Sequence, residues 1–118
     1  MSLQRILEIA CCNGLTEIVK LSLADSRVDP SDNNNRVIRL ASANGHLEVV
    51  KLLLADKRVD PSGYGNGALR WSSSRGHLEI VRLLLTDSRV DPSDGNNEAI
   101  SWAIANGQPE VVKELVKW

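Results

Sequence analysis

The apolar positions of this chain fall into short helical stripes. Within the segment from Asp29 to Val59, Ile38, Ala41 and Ser42 stand at i, i+3 and i+4, the spacing of one helix face. Leu47, Val50 and Leu54 follow at i, i+3 and i+7, and Val49 and Leu53 widen that second face. The stripes predict one helix over 36–44 and another over 47–55. Gly45 parts them and suits a left-handed helix cap. Ahead of the first helix, Asp29-Pro30-Ser31-Asp32 breaks regular structure, because proline fixes φ and lacks an N–H. Asn33-Asn34-Asn35 continues that turn. After the second helix, Asp56 stands where Asp, Asn or Gly can take a positive φ. Neither helix, at about ten residues, is stable alone, so each needs neighbours to pack on.

The neighbours are copies. Gly14, Gly45, Gly76 and Gly107 are each 31 residues apart, as are the Arg-Val-Asp-Pro-Ser segments at 27–31, 58–62 and 89–93. Helices are therefore expected again over 67–75 and 78–86, with a first pair near 3–13 and 16–24 and a last one ending inside its second helix. The architecture expected is all-α: a solenoid of four stacked helix-turn-helix units joined by short turn segments. The units run from about 1–28, 29–59, 60–90 and 91–118, and together make one domain. Terminal units act as caps and must show a wet outer face. Ser22, aligned with Leu53 and Leu84, and Glu114, aligned with Leu52 and Leu83, are expected to be exposed. Leu53 and Leu84 are expected to be buried. Pro109 opens the last helix, where proline is tolerated.

The segments Gly45-His46-Leu47-Glu48-Val49-Val50-Lys51-Leu52-Leu53-Leu54 and Gly76-His77-Leu78-Glu79-Ile80-Val81-Arg82-Leu83-Leu84-Leu85 resemble the second-helix signature of the ankyrin repeat. Val59-Asp60-Pro61 takes the place of that family's Val-Asn-Ala turn. The resemblance covers essentially the whole chain. The period is shorter than the family's usual length of about 33 residues. The family's Thr-Pro-Leu-His opening is replaced by Arg36-Val37-Ile38-Arg39, Gly67-Ala68-Leu69-Arg70 and Glu98-Ala99-Ile100-Ser101. In the family, the Thr and His tie the turn to the helix by hydrogen bonds; Arg39 and Arg70 are expected to take over that tie. The resemblance implies an elongated, slightly curved stack that mediates protein–protein contact, without catalysis or cofactor.

Composition narrows the chemistry. The chain is 42% hydrophobic and 25% charged over 118 residues, which suits a packed domain rather than a disordered one. A formal charge of −1 argues against global electrostatic attachment to nucleic acid or an anionic membrane. No apolar run approaches the roughly 18 residues of a membrane span, and the start lacks a signal-peptide stretch. Cys11 and Cys12 are adjacent and cannot staple distant segments. In a helix they point about 100° apart, so they make no metal clip. Cys11 aligns with Ser42 and Ser73 and reads as a small packed thiol, in a reducing, intracellular setting, cytoplasmic or nuclear. His46 and His77 lie one unit apart. Helices packed at about 8–10 Å hold such a pair too far apart to share a zinc, and capping of the second helix is the expected role. Gly63-Tyr64-Gly65-Asn66-Gly67 looks like a phosphate cradle, yet it aligns with Asp32–Arg36 and Asp94–Glu98 and lacks a Gly-Lys-Ser/Thr ending. No catalytic, metal or cofactor site is expected.

Function is then sought where the units differ. Positions 33, 64 and 95 read Asn, Tyr and Gly; 36, 67 and 98 read Arg, Gly and Glu; 44, 75 and 106 read Asn, Arg and Asn. Trp71 and Trp102 align with Leu40. The candidate partner-binding residues are Asn33, Arg36, Tyr64, Trp71, Arg75, Glu98 and Trp102, on a concave face formed by turn tips and first helices. Arg36, Arg39, Arg70 and Arg75 precede Asp94 and Glu98, giving a basic-to-acidic gradient along that face. The tryptophans either pack between first helices or form an exposed row. Small residues at 65 and 67 are expected to leave room around Tyr64 for a partner side chain. On the second helices Glu48, Lys51, Glu79 and Arg82 read as solvated. The reading is a monomeric, non-catalytic module that binds a protein or peptide and no small-molecule substrate. The alternative is a structural fragment or engineered array with no dedicated partner.

Overall fold

The computed structural model describes residues 1–118 as eight helices with no strand. They are α1 (Leu3–Asn13), α2 (Thr16–Leu23), α3 (Asp32–Ala43), α4 (Leu47–Ala55), α5 (Gly63–Ser74), α6 (Leu78–Leu85), α7 (Asp94–Ala105) and α8 (Pro109–Leu115). Each odd-numbered helix packs on the next odd one, each even helix on the next even one, and each pair on itself. The result is a stack 40 Å long and about 20 Å across.

The helices predicted at 47–55 and 78–86 form within a residue of those bounds. Those predicted at 36–44 and 67–75 end one residue early and begin four residues early, at Asp32 and Gly63, because the turns before them are hydrogen-bonded into the helix. The turns before them hold more than expected. Asn33, Asn34 and Asn35 have φ of 56°, 55° and 59°: three consecutive left-handed residues. Tyr64-Gly65-Asn66 and Gly95-Asn96-Asn97 repeat that geometry. Left-handed backbone is normally visited singly, and by Gly, Asn or Asp. That preference explains the Asn- and Gly-rich triplets and leaves Tyr64 as the residue with the most to lose there. Asp56, by contrast, has φ −87°, not the positive value expected. Its carboxylate is anchored instead, accepting from the Arg58 backbone N–H, Nε and Nη2.

Gly45 caps α3 at φ 77°, and a Cβ there would lie 2.7 Å from the His77 ring. Glycine is thus required by conformation and by the approach of the next unit. The histidines do not cap their own helices with a side-chain bond. Each ring reaches back one unit: His46 Nε2 lies 2.9 Å from the Cys12 carbonyl oxygen and His77 Nε2 lies 3.1 Å from that of Ala43.

The recurring turn sequence is a seam between units. Arg58 donates to the carbonyls of Leu23 and Val28, and Arg89 to that of Val59. Val28, Val59 and Val90 are buried. The Asn35 side chain accepts from the Asp60 N–H at 2.7 Å, and Asn66 does the same for Asp91 at 3.0 Å. In the first unit, which has no left-handed turn, the longer Gln4 spans the gap and bonds both the N–H and the carbonyl of Asp29.

Burial by aligned position separates the faces of a unit. Leu53, Leu84 and Leu115 are buried, and so is Ser22, at 3% exposed. The expectation that Ser22 is exposed is therefore wrong. This position is covered even in both end units, so it looks into its own helix pair and not toward a neighbour. Glu114 is not exposed either: it is half-buried, accepting from Arg82 Nε at 2.9 Å. Position 18 faces the preceding unit: Val49, Ile80 and Val111 are buried there, while Ile18 is exposed. With Ile9, Leu15 and Leu21 also exposed, the first unit's outer face is apolar rather than wet. Position 11 faces the following unit: Cys11, Ser42 and Ser73 are fully buried, and Ile104 is exposed. Burial pushes the Cys11 thiol up to about 12, which suits a packing role.

Candidate functional site

The first helices and the turn tips carry the exposed Tyr64 and Trp71 and the two arginines without an ion pair, Arg39 and Arg75. Arg39 Nε and Nη2 donate to the carbonyls of Asn34 and Asn33, and Arg70 donates likewise to those of Gly65 and Tyr64. These bonds hold the left-handed turns from below, the tie expected of both arginines. The fourth unit has Ser101 at this position and lacks the clamp.

The clamp arginines also meet the rings. The Arg39 guanidinium lies 4.7 Å from the centre of the Tyr64 ring, and that of Arg70 lies 5.9 Å from it. Arg70 sits 5.4 Å from the Trp102 ring and Arg75 5.3 Å from that of Trp71. Trp71 and Trp102 meet edge to face at 5.3 Å. The tryptophans therefore pack on each other across two units, with Trp71 still 38% exposed. Tyr64 is 60% exposed, its ring held against the Arg39 guanidinium. The space at position 67 is not left for a partner: a Cβ on Gly67 would lie 2.7 Å from Arg39 Cδ, so the missing side chain makes room for that arginine.

Between α3 and α5 the face opens into a recess of about 350 Å³. Its rim is Arg36, Arg39 and Arg75; its floor is Leu40, Ala43 and Trp71, with Asn44 at one side. The structure thus brings together Arg36, Trp71 and Arg75 of the sequence-derived candidates. Asn33 lies exposed on the turn tip, and Trp102 and Glu98 lie one unit further on, outside the recess. Leu40, Ala43, Asn44 and Arg39 complete the recess. The signal for Leu40 was its small size against the aligned Trp71 and Trp102.

The charges of the recess are unevenly met. Arg36 has Glu8 at 3.9 Å, a distance without a hydrogen bond. Arg70 has Glu98 at 3.4 Å. Arg39 and Arg75 have no carboxylate within 4.0 Å. Burial, together with the charges of Arg36 and Arg70, pushes the Arg39 guanidinium below its ordinary value. On the opposite face the second helices neutralise themselves through i,i+3 pairs, Glu17–Lys20, Glu48–Lys51, Glu79–Arg82 and Glu110–Lys113.

No group of three metal-ligating side chains comes together anywhere in the stack, and no helix is long and apolar enough to cross a membrane. Repeated helix pairs joined by a bonded seam, with aromatic and basic side chains along one edge, define a helical-repeat recognition scaffold. The family described as ankyrin repeats (3 copies) matches residues 7–94 and, in an overlapping alignment, 40–118, so the chain belongs to the ankyrin-repeat family. No curated protein matches it significantly. Ankyrin repeats are in general protein–protein interaction modules.

Proposed function

We propose that the chain works as one non-catalytic domain, its four units spanning about 1–28, 29–59, 60–90 and 91–118, that binds a protein or peptide on the concave face. The observation that carries this is the division of charge. The second helices pair their charges along their own surface, while Arg36, Arg39 and Arg75 gather with Trp71 and Tyr64 at positions where the units differ. Exposed aromatic and arginine side chains on a rigid backbone are typical interface anchors. Asn33 and Arg36 extend the surface toward the first unit, and Trp102 and Glu98 toward the last. The test is a binding assay on Tyr64→Asn and Lys51→Ala. Asparagine accepts the left-handed backbone, so the turn is kept while the ring is lost. Tyr64→Asn should weaken binding by more than about 1 kcal/mol, and Lys51→Ala should leave it unchanged. Equal loss from both, or loss from Lys51→Ala alone, means the partner uses the other face.

A further inference from the structure

We infer that the recess between α3 and α5 takes an acidic peptide segment, with carboxylates on Arg36, Arg39 and Arg75 and an apolar side chain against Leu40 and Trp71. This rests on the concave-face reading and names the chemistry of the partner. Three guanidinium groups surround one opening, and the nearest carboxylate to any of them is Glu8, 3.9 Å from Arg36. Donors are left over. Arg75 donates only through Nη1, to Ala43 and Asn44, which leaves Nε and Nη2 free. Arg39 uses Nε and Nη2 on the turn and leaves Nη1 free. Arg36 makes no hydrogen bond through its side chain and stands exposed. A carboxylate accepts such donors in pairs, and in a half-enclosed site each bond is strengthened by its charge.

The floor supplies the second half of the specificity. Leu40 and Ala43 are half-buried and apolar, and the Trp71 indole lines the floor beside them. That asks for an aliphatic side chain next to the acid. A nucleic-acid strand fits less well. Its phosphates need a continuous basic track, and here Glu8 stands beside Arg36 and Glu98 against Arg70.

The experiment titrates the whole chain with a capped hexapeptide alternating glutamate and leucine. The comparisons are the glutamine and lysine versions of the same peptide and a short single-stranded oligonucleotide. The glutamate peptide should bind, the glutamine peptide about tenfold or more weakly, and added salt should weaken the complex. The double variant Arg36→Gln/Arg75→Gln should lose at least about tenfold in affinity for the glutamate peptide, with Lys51→Gln unchanged. Arg36→Gln alone removes no internal hydrogen bond and serves if the double variant melts early. Failure of the glutamate peptide to bind overturns the inference, as does tighter binding of the oligonucleotide at equal salt. Equal binding of glutamate and glutamine peptides, still lost on Trp71→Ala, overturns the acidic chemistry and leaves the concave face standing. Binding lost on Lys51→Gln and kept in the arginine variants overturns both.

Discussion

The junction between α3 and α5 and the junction between α5 and α7 have the same backbone and opposite character. In the second, Trp71 meets Trp102, Arg70 meets Glu98, and Asn66 Nδ2 donates to Asp94 at 2.9 Å. It is closed, and its arginine is matched by a carboxylate. In the first, Leu40 offers no ring, Arg39 finds no carboxylate, and Asn35 has no acidic partner. The cause lies in two glycines. Gly63 aligns with Asp94 and Gly67 with Glu98. A Cβ at Gly63 would lie 2.7 Å from the Asn34 carbonyl oxygen, and one at Gly67 would meet Arg39. The glycine-rich turn that looks like a phosphate cradle in sequence leaves the arginines before it uncompensated. A repeat fixes where side chains point, and two substitutions decide whether a junction is a seal or a socket.

If both junctions share one scaffold, the buried leucines behind them should be equivalent. Leu53→Ala and Leu84→Ala should each cost on the order of 2–5 kcal/mol, read from denaturant unfolding. A large difference between them would show that the two junctions are not built on equal cores. Next, the asparagines should differ. Asn66→Ala removes bonds to both Asp91 and Asp94, whereas Asn35→Ala removes only the one to Asp60. Both should destabilise by about 1–3 kcal/mol, Asn66→Ala by the larger amount. Equal losses would mean the Asp94 bond contributes nothing.

A smaller effect tests the cause directly. Gly67→Glu copies the acid of the closed junction into the open one, at a helical φ. The Arg39 stem must shift, and glycine gives way to a better helix former, so the melting temperature should change little. Affinity for an acidic peptide should fall about tenfold, close to 1.4 kcal/mol. An unchanged affinity would separate the recess from its charge. The least effect expected is the acid response. Asp56 and Asp87 are held below the usual carboxylate range, first by side-chain bonds from Arg58 and Arg89. A carboxylate depressed in the folded state adds stability above its unfolded value of about 3.9, lost as pH falls through the lower folded value. Melting temperature should hold from neutrality to about pH 5 and fall below about pH 4. Asp56→Asn and Asp87→Asn should blunt that fall equally, since both forks have the same geometry.

Much of the fold was legible because it is periodic. The glycine caps, the helix pairs, the buried Leu53 and Leu84 and the clamps of Arg39 and Arg70 all follow from local chemistry repeated along the chain. What stayed hidden depends on direction. Membership of end units makes Ser22 and Glu114 look like outer positions, yet one faces inward and the other toward the preceding unit. The left-handed triplets look like any Asn- and Gly-rich turn until three φ angles are seen together. The recess and its unmet charge depend on a small side chain at Leu40 and on the lack of acids at Gly63 and Gly67, on different helices. An absence has no motif.

The seam between units carries a kinetic consequence. Its longest hydrogen bonds join residues 35 positions apart, and helices in substantial contact belong to the same or adjacent units. No segment has to find a distant one. The loop-closure entropy of folding is therefore set by one unit and not by the whole chain. Such a chain should fold at the rates of local-contact helical proteins, starting at whichever pair forms first. Lengthening the stack would add interface without adding search.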